Sequence, residues 1–133
     1  MISFIIPGDP KAQERPRFFR HRKFVGAYDP IESATFKQKV AFFARQAGVT
    51  ASSNAVAIKI KFFFRRPKCL MRKRDSEAAI VCMKRPDIDN LIKAAADGLN
   101  GIAYHDDGQI WAIEAEKWYH EKSGVQRTEI EIL

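Results

Sequence analysis

The chain has 133 residues and a formal net charge of +7, from 23 lysines and arginines against 16 acids. That length suits one domain, 1–133, and with 46% hydrophobic residues it can fill a modest core. No apolar run approaches the ~18 residues of a membrane span, and Met1–Pro7 is too short and lacks the basic start of a secretory signal, so a cytoplasmic protein is expected.

Residues 2–6 (ISFII) predict a short strand ended by Pro7-Gly8. Residues 8–23 are polar and basic, with Arg15, Arg17 and Arg20 interleaved with Phe18 and Phe19. They suggest an extended arm or hairpin running to Tyr28, its phenylalanines turned into the core rather than toward nucleic-acid bases. A helix is predicted over 30–47. Asp29 can cap it, Pro30 fits its first position and Glu32 completes a capping box. Phe36, Val40, Phe43, Ala44 and Ala47 recur at helical spacing, and Gly48 is a natural stop.

Residues 55–64 alternate, with Ile58, Ile60, Phe62 and Phe64 on one face and Lys59 and Lys61 on the other. That is the pattern of a half-buried strand. Residues 65–86 are basic and irregular and predict a mobile loop that contacts a polyanion. Residues 88–100 predict a second helix with Leu91, Ala95 and Leu99 inward, followed by Ile102 and a stop at Gly101. Residues 110–119 and 125–133 predict two antiparallel strands joined near Ser123-Gly124. The order implies an α+β fold, with two helices against one mixed or antiparallel sheet of about four strands.

The two cysteines, Cys69 and Cys82, lack the spacing of a zinc site and are expected as free thiols. His21, His105 and His120 share no ligand spacing. Positive charge is clustered: Lys11, Arg15, Arg17, Arg20, Arg22 and Lys23 face only Glu14. Arg65, Arg66, Lys68, Arg72, Lys73 and Arg74 then fall within ten residues that contain no acid. Such clustering favours a polyanionic partner.

Against that background the dense acidic group Asp87-Ile88-Asp89, with Asp106-Asp107 after the second helix, stands out. In extended chain, positions i and i+2 point the same way, so Asp87 and Asp89 can reach one ion. The helix then carries the chain away, and Gly101 turns it back toward them. Carboxylates without nearby His or Cys suit Mg²⁺, or Mn²⁺ in its place. Such an ion can act on a phosphodiester. Lys93 lies four residues from both Asp89 and Asp97, which allows either an ion pair with Asp97 or a cation at a phosphate.

The run K-R-P-D-I-D-N-L-I-K-A-A-A-D-G-L-N-G-I-A-Y-H-D-D-G-Q-I, residues 84–110, resembles the RusA family of Holliday-junction resolvases. The similarity is strongest over 84–119. The resemblance implies a homodimeric, Mg²⁺-dependent endonuclease, of a kind frequently carried by prophages, that resolves four-way DNA junctions by paired nicks in recombination and repair. By position in the motif, Asp87, Asp89 and Asp107 resemble the family's catalytic metal-binding aspartates and Lys93 its catalytic lysine. Asp106 and Asp97 match accessory acidic positions. Arg15, Arg17, Arg20, Arg65, Arg66, Lys68, Arg72, Lys73, Arg74, Lys84 and Arg85 are expected to hold DNA. Residues 8–20 depart from the family's Pro- and Asn-rich arm. Two rival readings remain: a less selective nuclease for branched DNA, and a non-catalytic DNA-binding protein with a vestigial site.

Overall fold

A computed structural model describes every residue, Met1–Leu133. Five strands form one mixed sheet: β1 (Ile2–Pro7), β4 (Val56–Phe64), β5 (Ile80–Val81), β6 (Ile110–Tyr119) and β7 (Arg127–Ile132). Two more, β2 (Arg17–His21) and β3 (Phe24–Tyr28), pair only with each other. The helices are α1 (Ile31–Gln46) and α2 (Ile88–Leu99). The fold is α+β, as expected, with one strand more in the main sheet than the sequence pattern suggested.

The main sheet runs β1-β7-β4-β6-β5. β4 takes the centre because it is the most apolar strand: Val56, Ile58, Ile60 and Phe62 are each at most 2% exposed. It pairs antiparallel with β7 and parallel with β6. The expected β6–β7 hairpin therefore does not form, and β4 lies between the two strands. Residues 120–126 are long enough to cross one strand, since seven extended residues reach about 23 Å and two strand spacings are about 10 Å. The crossing is pinned where His120 donates its backbone N–H to the Phe64 carbonyl at 3.1 Å. Arg127 adds to the pin, stacking its guanidinium 3.8 Å from the Phe63 ring centroid and pairing with Glu121 at 2.9 Å.

One sheet face carries the core. Phe4, Ile6, Ile58, Ile60, Phe62 and Ile130 pack with Phe36, Val40 and Ala44 of α1 and Leu91, Ala95 and Leu99 of α2. The other face is charged. Lys59 lies opposite Glu114 and Glu131, and Lys61 opposite Glu116 and Glu129, so four glutamates flank two lysines.

Four local expectations are corrected. No capping box opens α1. Its N-cap is Pro30, with no side-chain cap, because Asp29 is already bonded to Lys37 and Gln13. Phe18 and Phe19 are not core residues; they lie 77% and 44% exposed on the β2–β3 hairpin. Segment 65–86 is not structureless. It contains a 3-10 turn and β5, and Lys122 ties its backbone by donating to the carbonyls of Arg72 (2.6 Å) and Asp75 (3.1 Å). Arg66 is 4% exposed and donates to the carbonyls of Leu70, Ser76 and Ala78. It therefore braces this segment and presents no surface to DNA.

The helices meet at Gly98. A Cβ there would stand 2.8 Å from the Val40 Cβ and 3.0 Å from the Lys37 carbonyl oxygen. In an ordinary exposed helix, Gly→Ala stabilises by about 1 kcal/mol. Gly98→Ala should instead lower the thermal midpoint, because α2 must move off α1. A higher midpoint would contradict this packing.

Candidate active site

α2 lies along β6, running the opposite way. Asp87, Ile88 and Asp89 share a cleft with Ala115–Trp118 of β6, whereas Lys93, Ala96, Asp97 and Asp107 share the next with Ile110–Ile113. The helix is built for this placement. Leu91, Ala94, Ala95 and Leu99 are fully buried, which turns the ridge Asp89–Lys93–Asp97 toward the clefts. At a rise of 1.5 Å per residue, the three positions are spaced about 6 Å apart along the axis.

Each acid has a distinct local setting. Asp87 is the N-cap residue of α2, but its side chain caps nothing. Asp89 does not cap the helix either; it accepts only from the neighbouring Asn90 N–H, at 2.9 Å. Asp106 is committed to its own turn, accepting from the Gly108 N–H at 3.0 Å. Gln109 completes that turn. Its Oε1 accepts from the N–H groups of His105 and Asp106, and its amide donates to the carbonyls of Ser52 (2.7 Å) and Asn54 (2.9 Å). This frame fixes the loop that presents Asp107. Gln109 was not singled out in the sequence: the carbonyls it holds, Ser52 and Asn54, lie more than fifty positions away, and the local D-x-x-Q spacing of Asp106 and Gln109 was the signal that could have found it.

Asp97 pairs with Lys37 of α1 at 3.6 Å, and Lys37 also holds Asp29 at 2.7 Å. The open alternative of a Lys93–Asp97 ion pair is therefore not what the structure contains. Lys93 makes no ion pair and is exposed. Gln13 extends the network: its backbone N–H donates to the Asn90 carbonyl and its side chain to Asp29. Thus the basic arm is threaded across both helices just below the acidic motif. Tyr104 lies beneath the same region and donates its hydroxyl to the Ala96 carbonyl. Burial pushes the phenol's pKa strongly upward, and the nearby charges of Asp107 and Asp97 add to the rise, so it remains a proton donor.

Asp87, Asp89 and Asp107 thus have no cationic partner in a chain of net charge +7. They do not, however, form the single three-carboxylate cage that their order along the chain suggested. No three acidic, His or Cys side chains converge closely enough to enclose a metal. Asp107 enters one helical turn further along α2, beside Lys93. The donor set still fits a hard cation. Magnesium is commonly held by one or two carboxylates and completed by water and substrate phosphate, and Asp87 and Asp89 supply such a pair.

The basic residues divide. Arg65, Lys84 and Arg85 share a cleft of about 500 Å³ with Lys11, Asp9 and Glu14. Cys82 lines both this cleft and that of Asp87 and Asp89, so the two adjoin. Lys68, Arg72, Lys73 and Arg74 are exposed on the braced segment. Arg15 precedes the β2–β3 hairpin, and Arg17 and Arg20 lie on it, all three exposed.

Residues 7–133 match the family described as endodeoxyribonuclease RusA. Over 131 residues the chain is 34% identical to the uncharacterized protein YqaN of Bacillus subtilis (strain 168), a match that covers 94% of this chain and 92% of that protein.

The clamp under α2 has a pH signature. The bond from Lys37, then that from Gln13, holds the Asp29 carboxyl below its ordinary value of 3.8. A depressed carboxyl stabilises the fold above the unfolded value, and this stabilisation is lost as pH falls through the folded value. Lys37→Met should therefore be less stable than the parent near neutral pH, and the gap should close in acid. Parallel urea midpoints across that range check this; a gap independent of pH would contradict the clamp.

Proposed function

The chain belongs to the RusA family of endodeoxyribonucleases, and from that premise we propose that it is a divalent-cation-dependent nuclease that resolves four-way DNA junctions. The observation that carries the proposal is the set of exposed carboxylates Asp87, Asp89 and Asp107, none of them in an ion pair, the first two in a cleft that adjoins a strongly basic one. A surface for phosphates excludes bare acids unless a cation joins the two.

In this reading Asp87 and Asp89 hold Mg²⁺, and Mn²⁺ can replace it. Bound there, the ion supplies Lewis-acid polarisation of a phosphate and lowers the pKa of water. Lys93 stands one turn below Asp89 and meets the charge that grows on the phosphate oxygens as the bond breaks. Asp107, held rigidly by the Asp106–Gln109 turn, faces the same phosphate from the β6 side and can orient or accept a proton from the attacking water. Asp97 is a positioning residue, tied to α1 through Lys37. Arg65, Lys84, Arg85 and Lys11 grip the adjoining backbone. The glutamate-rich face of the sheet repels DNA and so selects the face on which it lies.

Paired nicks in opposite strands need two such sites, and hence a homodimer. The apolar Trp111 and Ile113, exposed in the Lys93–Asp107 cleft by 73% and 38%, suit burial when a second copy and DNA assemble around it.

Asp89→Asn should abolish Mg²⁺-dependent nicking of a synthetic four-way junction while preserving or tightening its binding, since the change removes negative charge from the DNA side. Loss of binding would contradict the scheme. Lys93→Met should slow cleavage by about 10²–10³-fold with much less effect on affinity. Equal cutting of four-way junctions, flaps and linear duplex by the parent would replace the resolvase with a less selective nuclease. Absence of nicking under all divalent-ion conditions would leave a DNA-binding protein alone.

A further inference from the structure

The β2–β3 hairpin is the largest feature that the proposed chemistry does not use. Every residue from Glu14 to Val25 is exposed, and the two strands form a sheet of their own. Isolated two-stranded hairpins are marginal in water, and contiguous exposed apolar surface usually marks a contact site.

The register sorts the side chains. Arg17 lies opposite Tyr28, Phe19 opposite Gly26, and His21 opposite Phe24. Opposed pairs two residues apart share a face, so Tyr28, Phe19 and Phe24 stand in a row on one side. Gly26 makes the row possible. The Phe19 ring lies across it so closely that a Cβ there would come within 2.4 Å of the ring. From this seat the Phe19 centroid is 6.0 Å from that of Phe24 and 6.2 Å from that of Tyr28. The rings are tilted by 54° and 45° rather than stacked on one another, so their faces stay open. Phe19, Tyr28 and Phe24 are 44%, 48% and 63% exposed.

Charge decides what covers them. Residues 14–28 carry Arg15, Arg17, Arg20, Arg22 and Lys23 against the single acid Glu14. A second copy would bring the same cations face to face. A polyanion with flat apolar rings satisfies both halves of the surface. Aromatic rings beside cationic side chains bind unpaired bases by stacking, largely without regard to sequence. A paired duplex offers no free base faces to such a row.

The geometry points to the row Tyr28–Phe19–Phe24 as a stacking platform for bases unstacked at the open centre of a DNA branch, with Arg17, on the same face, at a flanking phosphate. The inference rests on the nuclease reading for its substrate and extends it to a structure-sensing element outside the cleft.

The test places 2-aminopurine either at the branch point of a junction or within a duplex arm. Fluorescence and binding are followed with the full-length chain carrying Asp89→Asn, which prevents cutting. Emission of the branch-point probe should change on binding and that of the arm probe should not. Phe19→Ala with Phe24→Ala should remove the branch-point change and weaken junction affinity by about tenfold or more, leaving duplex affinity unaltered. Phe24→Trp should retain the signal and Phe24→Leu should lose it, which separates stacking from mere packing within the hairpin. Arg17→Ala with Arg20→Ala should weaken junction and duplex alike.

An unchanged branch-point signal in the double variant, with binding intact, would overturn the platform. So would conversion of a dimer to monomers by that variant in sedimentation, which would make the row an interface between copies. Failure of the parent to bind any DNA would instead remove the nuclease reading beneath it.

Discussion

Gly98 sets α2 against α1 at a distance no larger side chain allows, and Lys37 of α1 reaches across that contact to grip Asp97. The seat holds α2 parallel to the sheet surface with its charged ridge over β6. Were α2 lifted off this seat, the ridge that carries Asp89 and Lys93 would shift relative to β6 and to the turn that presents Asp107. A close helix–helix contact in the core thus determines where carboxylates stand at the surface.

Charge is partitioned with the same economy. Arg66 and Lys122, both basic, are turned onto backbone carbonyls and hold segment 65–86 in place. Arg127 is taken up by Glu121, Glu129 and the Phe63 ring, and Lys37 by Asp29 and Asp97. After these commitments, the cations left facing solvent lie mainly on the hairpin, on the braced segment and around the cleft of Arg65, Lys84 and Arg85, with Lys93 on α2, Arg45 on α1 and Lys61 on β4 besides. Asp87, Asp89 and Asp107 remain equally uncommitted beside them. Opposite charges standing close without pairing suit a third component, phosphate and a cation together, that joins them.

Much of this was legible in the sequence. The helical spacing of Phe36, Val40 and Ala44 and of Leu91, Ala95 and Leu99 marked both helices. The alternation of Ile58, Lys59, Ile60 and Lys61 marked the central strand. Gly48 and Gly101 do adopt positive φ, where the helices stop. The misreadings share a cause: each asked local pattern to report a long-range choice. Ser123-Gly124 reads as a hairpin turn, yet which strand lies beside β6 was decided by the greater burial that β4 finds at the centre. Asp29 reads as a cap, but Lys37, a little under two turns into the helix, claimed it. Arg66 resembles its exposed neighbours in sequence and differs from them only in the carbonyls that surround it. Phe18 and Phe19 read as core because apolar residues usually are, whereas the hairpin that carries them pairs only with itself and leaves both exposed. The motif located the three aspartates, but spacing along the chain could not show that Asp107 would arrive one turn beyond the other two.

The central claim is that a divalent cation is bound by the carboxylates that the protein leaves without partners. Paramagnetic broadening of backbone amide resonances by Mn²⁺, with the intact chain bound to an uncut four-way junction, tests it most directly. Broadening centred on Asp87–Asn90 and extending to Asp107 is the predicted result. Broadening centred instead on the glutamate face, around Glu114 and Glu129, with the aspartate resonances unaffected, would contradict it.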